Sequence, residues 1–181
     1  RYAMAGLLRL LDVVETDTVP SAAVECHAQP RLLINPAFVS RHASTPEKLM
    51  MLVMHEVHHV LLGHTRRLPS QTGADNFVFD CVINALLCRM FPQPEYTALF
   101  RDFYPEDRFP ACLLRPPENW HPEHASGLLP SGLQGAWQGA AAAREIYLAL
   151  YSEFGASYEE VRRLLPVVEV LGGLEGLPLL G

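Results

Sequence analysis

Lysine is almost missing from this chain. Lys48 stands alone beside thirteen arginines, and 20 acidic residues outnumber the 14 basic ones to leave a net charge of −6. That balance supplies no basic stripe for neutralising a phosphate backbone, so a nucleic-acid binder is not expected. Long apolar runs are lacking too. A bilayer crossing needs roughly 18–20 apolar residues in a row, whereas the stretch from Leu49 to Met54 leads straight into His55 and Glu56. No membrane span is expected. Near the amino end, Arg9 and Asp12 interrupt the apolar segment, which does not suit a signal peptide. Cysteine is sparse: Cys26, Cys81, Cys88 and Cys112 show no CxxC spacing. Cys81 and Cys88, seven apart on an expected helix, read as small buried hydrophobes in a reduced, cytoplasmic protein.

What is present suits a globular fold. Of the 181 residues, 49% are apolar and 9% aromatic, enough for one real core and short for two, so residues 1–181 are expected to form a single domain. Apolar positions at Leu7, Leu8, Leu11 and Val14 follow helical spacing and predict an amphipathic helix over 2–15. Segments 22–28 and 31–35 read as two short strands about a turn at Gln29-Pro30, a hairpin closed by Asn35-Pro36. A strong helix start follows: Ser44 or Thr45 can cap, Pro46 suits the first turn, and Glu47 completes a capping box with Ser44. This helix is expected to run to Leu62 and stop at Gly63, with a second helix over 74–90 ended by Pro92. Dense proline between 92 and 137 predicts irregular structure wrapped over the domain. Further helices are expected over 138–152 and 157–165, and the tail after 170 carries no assignment.

The chemistry concentrates in His55-Glu56-Val57-His58-His59, which fits H-E-x-x-H. On a helix, positions i and i+4 share a face, so His55 and His59 can grip one ion from successive turns. Neutral imidazole is a good zinc ligand, and zinc favours four ligands in a tetrahedron. Glu56 adjoins the first histidine and is placed to take a proton from a metal-bound water whose pKa zinc lowers to about 7. Nucleophile, base and Lewis acid thus fall within two turns. The surrounding helix is otherwise apolar, where such polar residues would be costly to bury without a purpose.

A catalytic zinc commonly takes three protein ligands and leaves one position open. Asp80 is the favoured third ligand. It lies 21 residues beyond His59 on the next helix, among Phe77, Val78, Phe79, Val82, Ile83 and Leu86, and a carboxylate in such company wants a cation or donors. Asn84, four residues on, shares its face. His64 is the rival, and Glu95, His121 and His124 are further candidates. The extended metzincin pattern fails, because glycine and histidine stand four and five residues past His59 rather than three and six. His58 points away from the metal-facing side by roughly 60–100°. His64 and Asn84 are candidates to hold a ligand in place from behind, and His27, His42, His121 and His124 read as ordinary surface histidines.

The run HEVHHVLLGHTRR, followed by NFVFDCVINALL, resembles the bacterial "putative metallopeptidase" domain often found ahead of a von Willebrand factor A-like domain. The upstream VPSAAVECHAQPRLLINPAFV is similar to that family's hairpin, and REIYLAL to its closing helix, so the likeness spans roughly residues 18–152. The resemblance implies an α+β, zincin-like fold, mostly helical, with a small sheet beside the H-E-x-x-H helix. It also implies His55, His59 and Asp80 as metal ligands and Glu56 as the catalytic residue. Genes of this family often lie near MoxR-type AAA+ ATPases, which are implied as partners; the D-x-S-x-S metal-ion site of an A-type domain is missing from this sequence. The expected function is zinc-dependent hydrolysis of protein or peptide substrates laid along an edge strand of the hairpin. Two other readings stand beside it. One is a non-catalytic regulatory or binding module holding zinc for structure, against which the intact Glu56 speaks. The other is a deformylase-like zinc amidohydrolase with Cys26 as ligand, against which the missing E-G-C-L-S motif speaks.

Overall fold

A computed structural model of the chain describes residues 12–25, 30–62, 72–124, 128–177 and 179–180. Three short strands come first: β1 (Asp12–Glu15), β2 (Ala22–Glu25) and β3 (Arg31–Ile34). β2 and β3 pair antiparallel, with Val24 opposite Leu32, as the expected hairpin requires. β1 is a correction. Residues 12–15 were expected to end the helix over 2–15, but Asp12-Val-Val-Glu lies parallel to β3, with Val13 opposite Leu32 and Val14 opposite Leu33. The adjacent β-branched valines suit a pleated strand, and the waiting edge of β3 decides the matter. The remainder of the expected helix, residues 2–11, lies outside the described residues. The sheet therefore has order β1-β3-β2.

Helices make up most of the rest. Asn35 does not simply close the hairpin; it caps α1 (Pro36–His42), its side-chain oxygen accepting from the Ala37 and Phe38 amides at 3.0 and 3.3 Å. α2 (Pro46–Leu61) is capped by Thr45 rather than Ser44, which puts Glu47 at the second helical position and leaves no box with Ser44. α3 (Gly73–Met90) begins with a reciprocal box between Thr72 and Asp75 and is buried on nearly every side. The proline-dense segment holds a helix that the sequence reading missed, α4 (Pro94–Phe103). Pro94 occupies its first turn, where a missing N–H costs nothing. Short 3-10 turns at Ala111–Leu114, Pro122–His124 and Ser131–Leu133 follow. α5 (Ala140–Leu150), α6 (Tyr158–Arg162) and α7 (Leu165–Val170) close the chain, and the last two replace the single helix expected over 157–165.

Two faces of α2 position everything that matters. Val53 and Val57, four apart, pack with Leu32, Val24, Ile34 and Leu49 against the sheet. Two positions further along a helix is a rotation of about 200°, so His55 and His59 face roughly the opposite way, toward α3. α3 is the central helix: Phe77, Ile83, Leu87 and Cys88 are fully buried and share one core with residues from α4 through Leu180. Among the described residues no helix is long and apolar enough to cross a membrane. Cys81, Cys88 and Cys112 are buried free thiols.

Candidate metal centre

The site is built from two i, i+4 pairs that face each other where α2 packs on α3. His55 and His59 come from α2; Asp80 and Asn84 come from α3. His55 Nε2 lies 3.1 Å from His59 Nε2 and 3.4 Å from Asp80 Oδ1, and His59 Nε2 lies 3.1 Å from the same oxygen. Three ligand atoms thus form a nearly equilateral triangle. Two donors held about 2.05 Å from a tetrahedral zinc are separated by about 3.3 Å, so the triangle has the size such an ion requires. His55 and Asp80 are wholly buried, while the His59 side chain keeps 14% of its surface exposed, so the site reaches solvent on that side.

Asn84 decides which nitrogen of His55 is bare. Its Nδ2 donates to the Leu114 carbonyl at 3.0 Å, which turns Oδ1 toward His55 Nδ1 at 2.8 Å. An amide oxygen can only accept, so Nδ1 carries the ring proton and the neutral ring presents a lone pair at Nε2. This is the tautomer that a metal ligand needs, fixed by a partner behind it. His58 turns elsewhere: its Nδ1 donates to the Met54 carbonyl at 2.6 Å, and the ring is buried rather than on the surface.

The carboxylates show what is unfinished. Both oxygens of Asp80 and Oε1 of Glu56 are buried without a hydrogen-bond partner. Uncompensated buried carboxylate oxygens are costly, and the Asp80 carboxylate beside two inward-facing imidazoles fits a cation. Burial opposes ionisation of Asp80, but the imidazoles of His55 and His59 more than offset it and hold its pKa below the ordinary range. Burial lowers the His59 pKa, keeping that ring neutral. For His55 burial also pulls downward, yet the Asp80 charge beside it wins and raises the pKa. Glu56 is pushed up to about 8, mainly by burial, with His55 opposing and Asp80 reinforcing the shift.

Of the other ligand candidates, Glu95 sits in the first turn of α4 and His121 accepts from the Glu123 amide at 3.3 Å. Neither joins the cluster, and His55, His59 and Asp80 form the one metal-competent group among the described residues. His64 and the side chain of His124 lie outside the described residues, as do His27 and Cys26. His42 packs against Phe38 and Phe103, at 4.9 and 5.2 Å between ring centres, and those two rings also touch each other, so it is a packing residue. One participant escaped the sequence reading, the Leu114 carbonyl. It lies in the proline-dense segment and meets the site only through tertiary contact, so no local spacing marks it.

Fold and site together define a mostly helical α/β protein organised around a candidate His-His-Asp metal centre. The family model described as "Putative metallopeptidase domain" matches residues 1–141, and the chain belongs to that family. Neither the curated proteins nor the solved structures yield a match.

Proposed function

We propose that this protein is a zinc-dependent peptidase of the zincin-like type, in which His55, His59 and Asp80 hold the metal and Glu56 is the general base. The observation that carries the reading is the triangle of ligand atoms, 3.1, 3.1 and 3.4 Å on a side, beside a buried carboxylate with a free oxygen. Bound there, zinc would supply Lewis acidity, bringing the pKa of a coordinated water to about 7 and polarising a peptide carbonyl. Glu56 Oε1 is then the group that accepts the proton from water and returns it to the leaving amine. A cation held by the neighbouring donors would favour its ionised form, against the burial that is the main cause of its pKa of about 8.

Substrate recognition follows from the sheet. Among the described residues β2 pairs with β3 alone, so its other edge can add an extended peptide strand beside α2. A cytoplasmic setting, and a MoxR-type ATPase or a von Willebrand factor A-domain protein as partner, belong to the same reading and rest on cysteine usage and on family resemblance respectively.

The test combines composition and activity. Elemental analysis of protein purified without chelators should give about one zinc per chain. Glu56→Gln should keep that zinc and the fold while abolishing cleavage of casein or a peptide library, because it removes the base and no ligand. A protein that neither carries nor takes up zinc ends this proposal. A Glu56→Gln variant with near wild-type turnover removes Glu56 from the role of base.

A further inference from the structure

The strand order β1-β3-β2 leaves β1 at an edge of the sheet. Backbone groups of successive residues point to opposite sides of a strand. The Asp12 N–H donates to the Pro30 carbonyl at 3.1 Å and the Thr16 N–H to the Ile34 carbonyl at 3.0 Å, so Asp12, Val14 and Thr16 turn to β3. The N–H and C=O groups of Val13 and Glu15 therefore point outward. Among the described residues no strand pairs with them.

Side chains divide the same strand by face. Val13 stands beside Leu32 and Glu15 beside Ile34, on the side that α2 covers, while Asp12 and Val14 lie on the other side. The cover is incomplete. Between α2 and β1 lies a groove of about 340 Å³, walled by Val13, Leu32 and Ile34 from the sheet and by Leu49, Met50 and Val53 from the helix. Val13 is 55% exposed. An apolar groove beside an unpaired strand edge is the arrangement by which a sheet accepts an added strand, with the backbone giving affinity and the groove giving specificity.

Charge selects the occupant. Asp12 and Glu15 are exposed carboxylates at the two ends of β1, and among the described residues neither has an ion-pair partner. Arg31, the register partner of Asp12, is held instead by Glu25 at 2.5 Å. A second copy of β1 is disfavoured here. Antiparallel pairing sets Asp12 opposite Glu15 at both ends, and parallel pairing in register sets each against itself. A strand with two apolar residues between two basic ones meets the opposite condition in either direction. Its apolar side chain beside Val13 enters the groove. Acidic ends alone would serve to keep an edge unpaired, but a guarded edge has no need of an open apolar groove beside it.

We propose that β1 and this groove form a docking site for an extended basic–apolar–apolar–basic segment of a partner protein, added as a fourth strand. The site lies on the sheet side of α2, whereas His55 and His59 face roughly the opposite way, so it is separate from the metal centre and independent of the metal reading.

Fluorescent peptides with the cores Lys-Leu-Leu-Lys, Glu-Leu-Leu-Glu and Lys-Ser-Ser-Lys are titrated with the full chain, and binding is read by anisotropy. A chelator is present throughout, so that cleavage does not interfere. Only the Lys-Leu-Leu-Lys peptide should bind. Val13→Pro deletes an outward N–H that β3 does not use, a change that edge strands tolerate, and should weaken binding about tenfold. Reversing both charges, Asp12→Lys together with Glu15→Lys, should turn the preference to Glu-Leu-Leu-Glu by about tenfold. Circular dichroism checks that each variant is folded; if Val13→Pro is not, the charge reversal decides alone. Equal binding of Lys-Ser-Ser-Lys overturns the proposal, because charge then acts without the groove. So does binding that the charge reversal leaves unchanged, which places the peptide elsewhere. No binding at millimolar peptide also overturns it and leaves Asp12 and Glu15 as guards of the edge. Sedimentation showing a dimer that Val13→Pro dissociates makes a second copy the occupant instead.

Discussion

Glu56 is the residue at which burial and chemistry conflict most openly. The residue is 3% exposed, and burial lifts its pKa to about 8, against an ordinary value of 4.5. In the metal-free protein the folded state therefore holds a proton on Glu56 between those two values, where the unfolded chain has already lost it. With more protons bound in the folded state, stability falls as pH rises through that window. Glu56→Gln carries no such proton and should lack the slope. In urea denaturation of chelator-treated protein from pH 5 to 9, the variant should gain on wild type steadily and level off above pH 8. The gain should be on the order of a few kcal/mol, since one pK unit is about 1.4 kcal/mol. The cluster titrates as a unit with His55 and Asp80, so the curve reports their joint behaviour. Parallel stability profiles for the two proteins would contradict a buried, destabilised carboxylate.

At the scale of elements, the site depends on how α2 and α3 begin and on which faces they bury. α3 starts with Thr72 accepting from the Asp75 amide at 3.2 Å, while Asp75 accepts from the Thr72 amide and hydroxyl, and Asp75 also accepts from the Tyr158 hydroxyl at 2.8 Å. The cap therefore ties α3 to α6 as well as to itself. Thr72→Ala should cost about 1 kcal/mol of stability. Zinc affinity should stay within about twofold of wild type, because Asp80 lies a full turn beyond the capped segment and is held by the packing of α3 on α2. Chemical denaturation and chelator competition on the same variant separate the two quantities. A fall in zinc affinity as large as the fall in stability would show that the cap positions the ligand.

Those same helices were legible in the sequence for physical reasons. Thr45-Pro46 and the apolar run to Leu61 announce α2, and two i, i+4 pairs, His55/His59 and Asp80/Asn84, place polar groups on single faces of apolar helices. What was not legible depends on partners distant in sequence. Asp12–Glu15 is a strand because β3 offers an edge, and Val14 alone fits either period. Pro36 and Pro94 begin helices, where proline density suggested turns and irregular chain. The Leu114 carbonyl reaches Asn84 through tertiary packing, which no spacing along the chain encodes.

For the whole molecule, the matched family segment and the physical core do not coincide. The family model covers residues 1–141, yet Tyr147, Leu150, Tyr151, Val161, Leu164, Val168 and Leu180 are buried in the same cluster as Phe77, Ile83 and Leu113. The links are polar as well as apolar. Ser21 donates to the Leu180 carbonyl, Trp120 Nε1 donates to the Tyr151 carbonyl at 2.8 Å, and Arg89 Nη1 donates to the Leu150 carbonyl at 2.6 Å. We propose on this basis that the described residues, from the sheet to Leu180, form one folding unit. Burying a large apolar side chain is worth about 1.5–3 kcal/mol, so seven of them contribute roughly 10–20 kcal/mol before the entropy of ordering the segment is subtracted. That is comparable to the entire stability of a typical domain, about 5–15 kcal/mol. A chain ending at residue 141 would also bare one side of α3, the helix that carries Asp80. It should therefore be largely unfolded by circular dichroism, show no cooperative melting, and fail to compete for zinc at concentrations that saturate the full chain. Cooperative melting and intact zinc binding by the shortened chain would show instead that residues 142–181 are an appendage to a self-sufficient metal-binding core.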